Sequence, residues 1–124
     1  MSVFTVINPA TEEVLGEFES ATEAEVDATL VRANRAQAAW SALSALERAE
    51  KLHEVARNLR ERRTELAHLL TLEMGKPFKE AADEVDWSIT ALDYYAEVGR
   101  HDYGDVLGPA VAGQLHYTIK EPFG

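Results

Sequence analysis

Two Glu-x-x-His pairs, Glu50 with His53 and Glu65 with His68, have the widest chemical reach in this chain. In carboxylate-bridged di-iron bundles such pairs recur on two helices that face one metal site. On one continuous helix the two pairs here would stand about 22 Å apart, at ~1.5 Å of rise per residue. If the chain instead turns near Arg63 and Thr64, the second pair follows the turn at once while the first lies well back along its helix, so they face each other poorly. Surface Glu and His pairs are therefore expected, with a helical metal-binding protein as the competing reading. His101 and Asp102 are neighbours in sequence and cannot face each other well as a catalytic pair. His116 stands on a strand face without a matching nucleophile. Ser41 and Ser44 fall at helix termini, and Asp83, Glu84 and Asp86 read as the wet stripe of a helix. Neither Gly-x-Gly-x-x-Gly nor Gly-x-x-x-x-Gly-Lys followed by Ser or Thr occurs. The cysteine count is zero, which removes disulfides, thiolate metal ligands and a sulfur nucleophile from these residues. The residues alone supply no catalytic and no cofactor-binding constellation.

The elements that would position these side chains change period along the chain. Phe4 to Ile7 is β-branched and stops at Asn8-Pro9, and a second strand is expected within Glu13 to Ser20 after the turn Ala10-Thr11-Glu12. Thr22 with Glu25, and Ser44 with Glu47, have the spacing of a capping box, in which a hydroxyl and a carboxylate satisfy early amides reciprocally. Val26, Leu30, Ala33, Gln37 and Trp40 then follow at helical spacing, and Ala45, Ala49, Leu52, Ala56 and Leu59 form the next stripe. Thr64 can cap a third helix with Leu66, Leu69 and Leu70 inward. Gly75 suits the left-handed position that ends it, and Pro77 the first turn of a fourth.

That fourth helix, about Pro77 to Arg100, is apolar on two sides. Phe78, Val85, Ile89 and Leu92 share one side; Trp87, Ala91, Tyr94 and Val98 fall almost opposite, with Asp83, Asp86, Thr90, Asp93 and Glu97 between them. Such a helix needs cover on both faces. Gln114 to Lys120 alternates as a strand with no obvious partner in the chain, and an unpaired strand is an interaction edge. At 124 residues with 46% hydrophobic composition, one domain and a packed core are within reach. The formal net charge of −10 argues against nucleic acid and anionic lipid as partners. Arg60, Arg62 and Arg63 are interrupted by acids and read as a solvated face. No apolar run approaches the ~20 residues of a membrane span, and no basic segment followed by an apolar stretch opens the chain. A soluble cytoplasmic protein, with no membrane partner, is the expectation.

Six segments in order resemble the aldehyde dehydrogenase superfamily. Ile7 to Val14 (INPATEEV) is similar to the family's opening NPATGEV turn, and Val26-Asp27 through Ala33 to Trp40 to its VD-A…A…AW helix. Glu47-Arg48-Ala49 is similar to ERA, Leu72 to Pro77 (LEMGKP) to LE-GKP, Asp93 to Ala96 (DYYA) to -YYA, and Lys120 to Gly124 (KEPFG) to -EP-G. The wording is closest to semialdehyde dehydrogenases, succinate-semialdehyde dehydrogenase among them. The resemblance implies an α/β fold of the aldehyde dehydrogenase kind, of which this chain would be a mostly α, N-terminal part. Residues 1–104 would pack on the cofactor domain, and residues 105–124 would form a linker and an oligomerisation strand.

By the same resemblance, the intact enzyme would use NAD or NADP to oxidise an aldehyde to a carboxylic acid. A cysteine would attack the carbonyl, hydride would leave to the nicotinamide, and water activated by a glutamate would hydrolyse the thioester. All those groups would lie outside these residues, so the chain alone is expected to be inactive and to bind no dinucleotide. Trp87, Ala91 and Tyr94 would line the substrate tunnel. Glu73, with the backbone carbonyls of Val6 and Ile7, would hold Na⁺ or K⁺, a hard-ligand set suited to such cations. Strand 114–120 would meet the remainder of the enzyme or a second copy in a homo-oligomer. A free-standing helical interaction module without catalysis is the alternative.

Overall fold

The computed structural model describes residues 2–101 and 103–122. Asp102, Phe123 and Gly124, which belong to two of the segments singled out above, lie outside the described residues. The chain opens with a hairpin. β1 (Val3–Ile7) and β2 (Val14–Glu19) pair antiparallel from Val3 opposite Glu19 to Val6 opposite Gly16, with a bulge between Val6 and Ile7. Asn8 builds the turn between them. Its N–H donates to the Glu13 carbonyl (2.9 Å), its carbonyl accepts the Glu12 N–H (2.8 Å), and its Oδ1 accepts the Ala10 N–H (2.9 Å). Those bonds account for a buried polar side chain there.

Four helices follow. α1 (Glu23–Ala42) and α2 (Ala45–Glu61) start on the two expected capping boxes, Thr22 with Glu25 and Ser44 with Glu47. α3 (Arg63–Met74) does not start on Thr64. The chain bends at Arg62, which offers no side-chain cap and instead donates Nε and Nη2 to Glu65 (2.9 and 2.6 Å). Gly75 closes α3 at φ +69°, and α4 (Phe78–Val98) follows directly after Pro77.

The core lies where α2, α3 and α4 meet. Ala56, Ala67, Ala81 and Ala82 form a seam with Val85 and Ile89, and Leu59, Leu66, Leu70 and Leu92 pack against it. Alanine at a contact lets helix axes approach closely. Leu69, expected inward, is half exposed, and Ala67 takes the central place on α3. The stripe on α1 is uncovered: the helix has no buried residue. Arg63 grips Asp86 through two 2.7 Å bonds, and Arg60 reaches Asp93. Earlier on α2, His53 bonds Glu97 as well as Asp93, while Arg60, later on α2, reaches Asp93, so α2 and α4 run antiparallel.

The C-terminal strand has a partner in the chain, contrary to the sequence reading. β3 (Val106–Leu107) pairs antiparallel with β4 (His116–Tyr117). The Thr118 N–H donates to the Asp105 carbonyl (2.9 Å) and the Lys120 N–H to the Tyr103 carbonyl (3.2 Å), extending the pairing past the regular ladder. The partner went unread because Val106 and Leu107 are only two apolar residues amid turn formers. Among the described residues no helix is long and apolar enough to cross a membrane.

Candidate functional site

α4 carries Trp87, Ala91 and Tyr94, the residues expected to line a substrate tunnel, on the face turned away from the core. Val85 and Ile89, buried in the seam, fix the rotation of the helix. Trp87, Ala91 and Tyr94, at i, i+4 and i+7, therefore share the opposite side. Trp87 is 72% exposed and Tyr94 62%, with Ala91 half-buried between them. Tyr94 also meets the Tyr95 ring edge-on at 5.2 Å between centroids. Such a large aromatic surface left in water is informative, because it forgoes burial that would stabilise the fold.

Glu73 belongs to a different place. It is exposed on the last turn of α3, two residues before Gly75, and Gly75 packs against Pro9, just past the end of β1. The bulge between Val6 and Ile7 lies at that same end of the hairpin. Thus Glu73 and the Val6 and Ile7 carbonyls belong to segments joined through the Gly75–Pro9 contact, remote in sequence from Trp87, Ala91 and Tyr94.

Three of the histidines make contacts of other kinds. Among the described residues no group of three His, Cys, Asp or Glu side chains is placed to hold a metal ion. His53 turns to α4 rather than to Glu50, with Nδ1 2.8 Å from Asp93 Oδ1 and Nε2 3.0 Å from Glu97 Oε1. Hydrogen bonds to Glu97, then to Asp93, push the imidazole up from its ordinary value. The His53 bond, followed by that of Arg60, holds Asp93 below the usual carboxylate range, and Glu97 is lowered chiefly by His53. His68 sets its ring edge-on to Phe78, and His116 Nε2 lies 3.0 Å from Gln114 Oε1. The hydroxyls are also engaged: Ser41 donates to the Ala38 carbonyl (3.1 Å), and Ser44 is the α2 cap. The His53 cluster is the group that sequence reasoning missed. Asp93 and Glu97 stood out as a polar stripe, but nothing in local spacing points from them to residue 53.

The model of the aldehyde dehydrogenase family matches residues 1–124. A succinate-semialdehyde dehydrogenase (NADP(+)) of Escherichia coli K12 is 38% identical over 119 residues, covering 96% of this chain and 25% of that enzyme. Among solved structures, an E. coli NADP-dependent enzyme superposes with a TM-score of 0.92 at 36% identity, covering 98% of this chain and 25% of its own. Betaine aldehyde dehydrogenase of Staphylococcus aureus, a point mutant in complex with NAD+, gives 0.90 at 27% identity, with 98% and 25% covered. The chain thus spans about a quarter of the length of the relatives it matches. The mostly helical build, with its hairpin and short second ladder, is the matching part of their α/β fold. Matched over every residue by sequence and over nearly all of them by backbone, the chain belongs to the aldehyde dehydrogenase family.

Proposed function

We propose that this chain is the N-terminal part of an NAD(P)-dependent aldehyde dehydrogenase that oxidises a semialdehyde, of the succinate-semialdehyde kind, to the dicarboxylic acid. In that reading residues 1–104 pack on the cofactor domain, and residues 105–124 are linker and oligomerisation strand. The dinucleotide accepts the hydride, and a cysteine outside these residues carries the acyl group. The contribution of this chain is scaffold, tunnel wall and subunit contact, in a soluble cytoplasmic homo-oligomer.

One observation carries the reading. The chain exposes 9807 Å², whereas a compact monomer of its 13.7 kDa exposes about 6,600 Å² by the usual size scaling. The excess, roughly 3,200 Å², is several times the ~800 Å² that one partner buries in a standard interface. Cover on the scale of a domain is what such a surface needs. It includes Trp87 and Tyr94, and Leu115, Tyr117 and Ile119 beside the β4 edge.

Steady-state kinetics of the whole protein that carries this segment tests the proposal. Turnover of succinate semialdehyde with NAD+ or NADP+ is expected, and none from residues 1–124 alone. Trp87→Ala should raise KM for the aldehyde several-fold and leave KM for the dinucleotide unchanged, since an aromatic wall shapes the aldehyde's path only. Turnover by the isolated chain, or an aldehyde KM indifferent to Trp87, would reject it.

The Glu73 carboxylate with the Val6 and Ile7 carbonyls is proposed to hold Na⁺ or K⁺. The β-bulge supports this, because a bulge leaves backbone groups outside the ladder. So does the Gly75–Pro9 packing, which ties the end of α3 to the end of β1. Replacing choline chloride by NaCl or KCl should raise the unfolding temperature of the whole protein, and Glu73→Gln should abolish that cation-specific rise. An equal rise in both proteins would be ordinary ionic strength.

A further inference from the structure

His53 stands between two carboxylates of another helix, and the geometry demands more protons than a neutral imidazole has. Both ring nitrogens lie within hydrogen-bond distance of a carboxylate oxygen, 2.8 Å to Asp93 and 3.0 Å to Glu97. Ionised carboxylates only accept, and a neutral imidazole donates from one nitrogen alone. Both bonds therefore require the imidazolium. In the neutral ring, whichever nitrogen is bare would face an oxygen lone pair to lone pair.

We infer that His53 is a proton-dependent latch between α2 and α4, closed on Asp93 and Glu97 when doubly protonated and released from Glu97 when neutral. Glu97 is the partner let go because Arg100, just past the end of α4, also holds it through a 2.9 Å bond. Asp93 stays, since Arg60 of α2 donates to its other oxygen. On α2 itself, Glu47, Glu50, Glu54, Lys51 and Arg57 share the groove beside His53. From α4 only Asp93 and Glu97 are bonded to it, and the Arg63 guanidinium of α3 answers Asp86 instead. The flanking carboxylates raise the imidazole above its ordinary value, so the latch contributes fully below about pH 6.5 and is lost as pH rises through the raised folded value. On the acid side both carboxylates are lowered. Their share is complete above about pH 4 and is lost as pH falls through their lowered values. Release loosens the last turns of α4, which carry Tyr94.

The test is ¹⁵N NMR of the whole protein labelled at histidine, with His53→Gln used for assignment. One ring should titrate above the ordinary imidazole value and keep both nitrogens protonated below it. Protection factors of amides 94–98, which remove the intrinsic pH dependence of exchange, should fall several-fold as that ring titrates. Glu97→Gln retains the size of the side chain and the fold. It should move the His53 midpoint down and flatten the pH dependence of protection. A His53 ring that titrates at or below the ordinary imidazole value, or protection in Glu97→Gln that follows pH as in the parent, overturns the latch.

Discussion

Gly75 ends α3 at φ +69°, where an L side chain is rarely placed, and a Cβ built there would sit 2.8 Å from Pro9 Cγ. The proline ring cannot swing away as a long side chain would, because its own backbone closes it. Gly75→Ala should therefore cost about 1–3 kcal/mol, from the left-handed backbone and the contact together. A urea titration checks it: the midpoint falls while the slope stays constant. Gly75 was legible from sequence, since helix end, glycine and following proline lie within three residues. The role of His53 was not, because its partners lie 40 and 44 residues away and its near neighbour Glu50 offers a plausible local pairing. The same limit separates Glu73, whose family motif is contiguous, from the contact that brings its segment to β1.

Helix starts were legible for a related reason: a capping box is complete within four residues. The Ser44 hydroxyl accepts the Glu47 N–H (3.2 Å), and the Glu47 carboxylate accepts the Ser44 N–H (2.7 Å). Ser44→Ala should cost about 1 kcal/mol, the usual worth of a cap, read as a lowered unfolding temperature with α2 amides exchanging faster. The Ser44 hydroxyl and amide bonds hold the Glu47 carboxyl below its ordinary value. That contribution is present above the ordinary carboxylate range and is lost as pH falls through the lowered value. The gap in stability between parent and Ser44→Ala should accordingly narrow in acid. Thr64 misled because a hydroxyl just after a polar run satisfies the same local rule, yet the bend falls at Arg62, whose guanidinium is held by Glu65. The β3–β4 ladder escaped because Val106–Leu107 is too short to alternate.

For the molecule as a whole, α4 separates two accounts of its bare surface. Ile89 is 3% exposed in the alanine seam and Trp87 is 72% exposed on the other side. In the isolated chain, Ile89→Ala should cost about 2–4 kcal/mol by leaving a cavity. Trp87→Ala should stay within about 0.5 kcal/mol, as surface changes do. If α4 is covered by a cofactor domain, both faces become interior in the whole protein, and Trp87→Ala should then cost a kcal/mol or more. A free-standing module predicts no such change of context, since its outer face would stay wet until a partner arrived. The uncovered area also bears on how the isolated chain behaves. Exposed apolar surface drives association in proportion to the area it removes from water, so the sedimentation coefficient of residues 1–124 should rise with concentration. A monomer that melts cooperatively across that range would favour the module. The sequence could announce a two-faced helix, because period alone sets which side chains share a side. Which side the seam would claim was decided by Ala56, Ala67, Ala81 and Ala82 coming together from three helices, and no local pattern encodes that meeting.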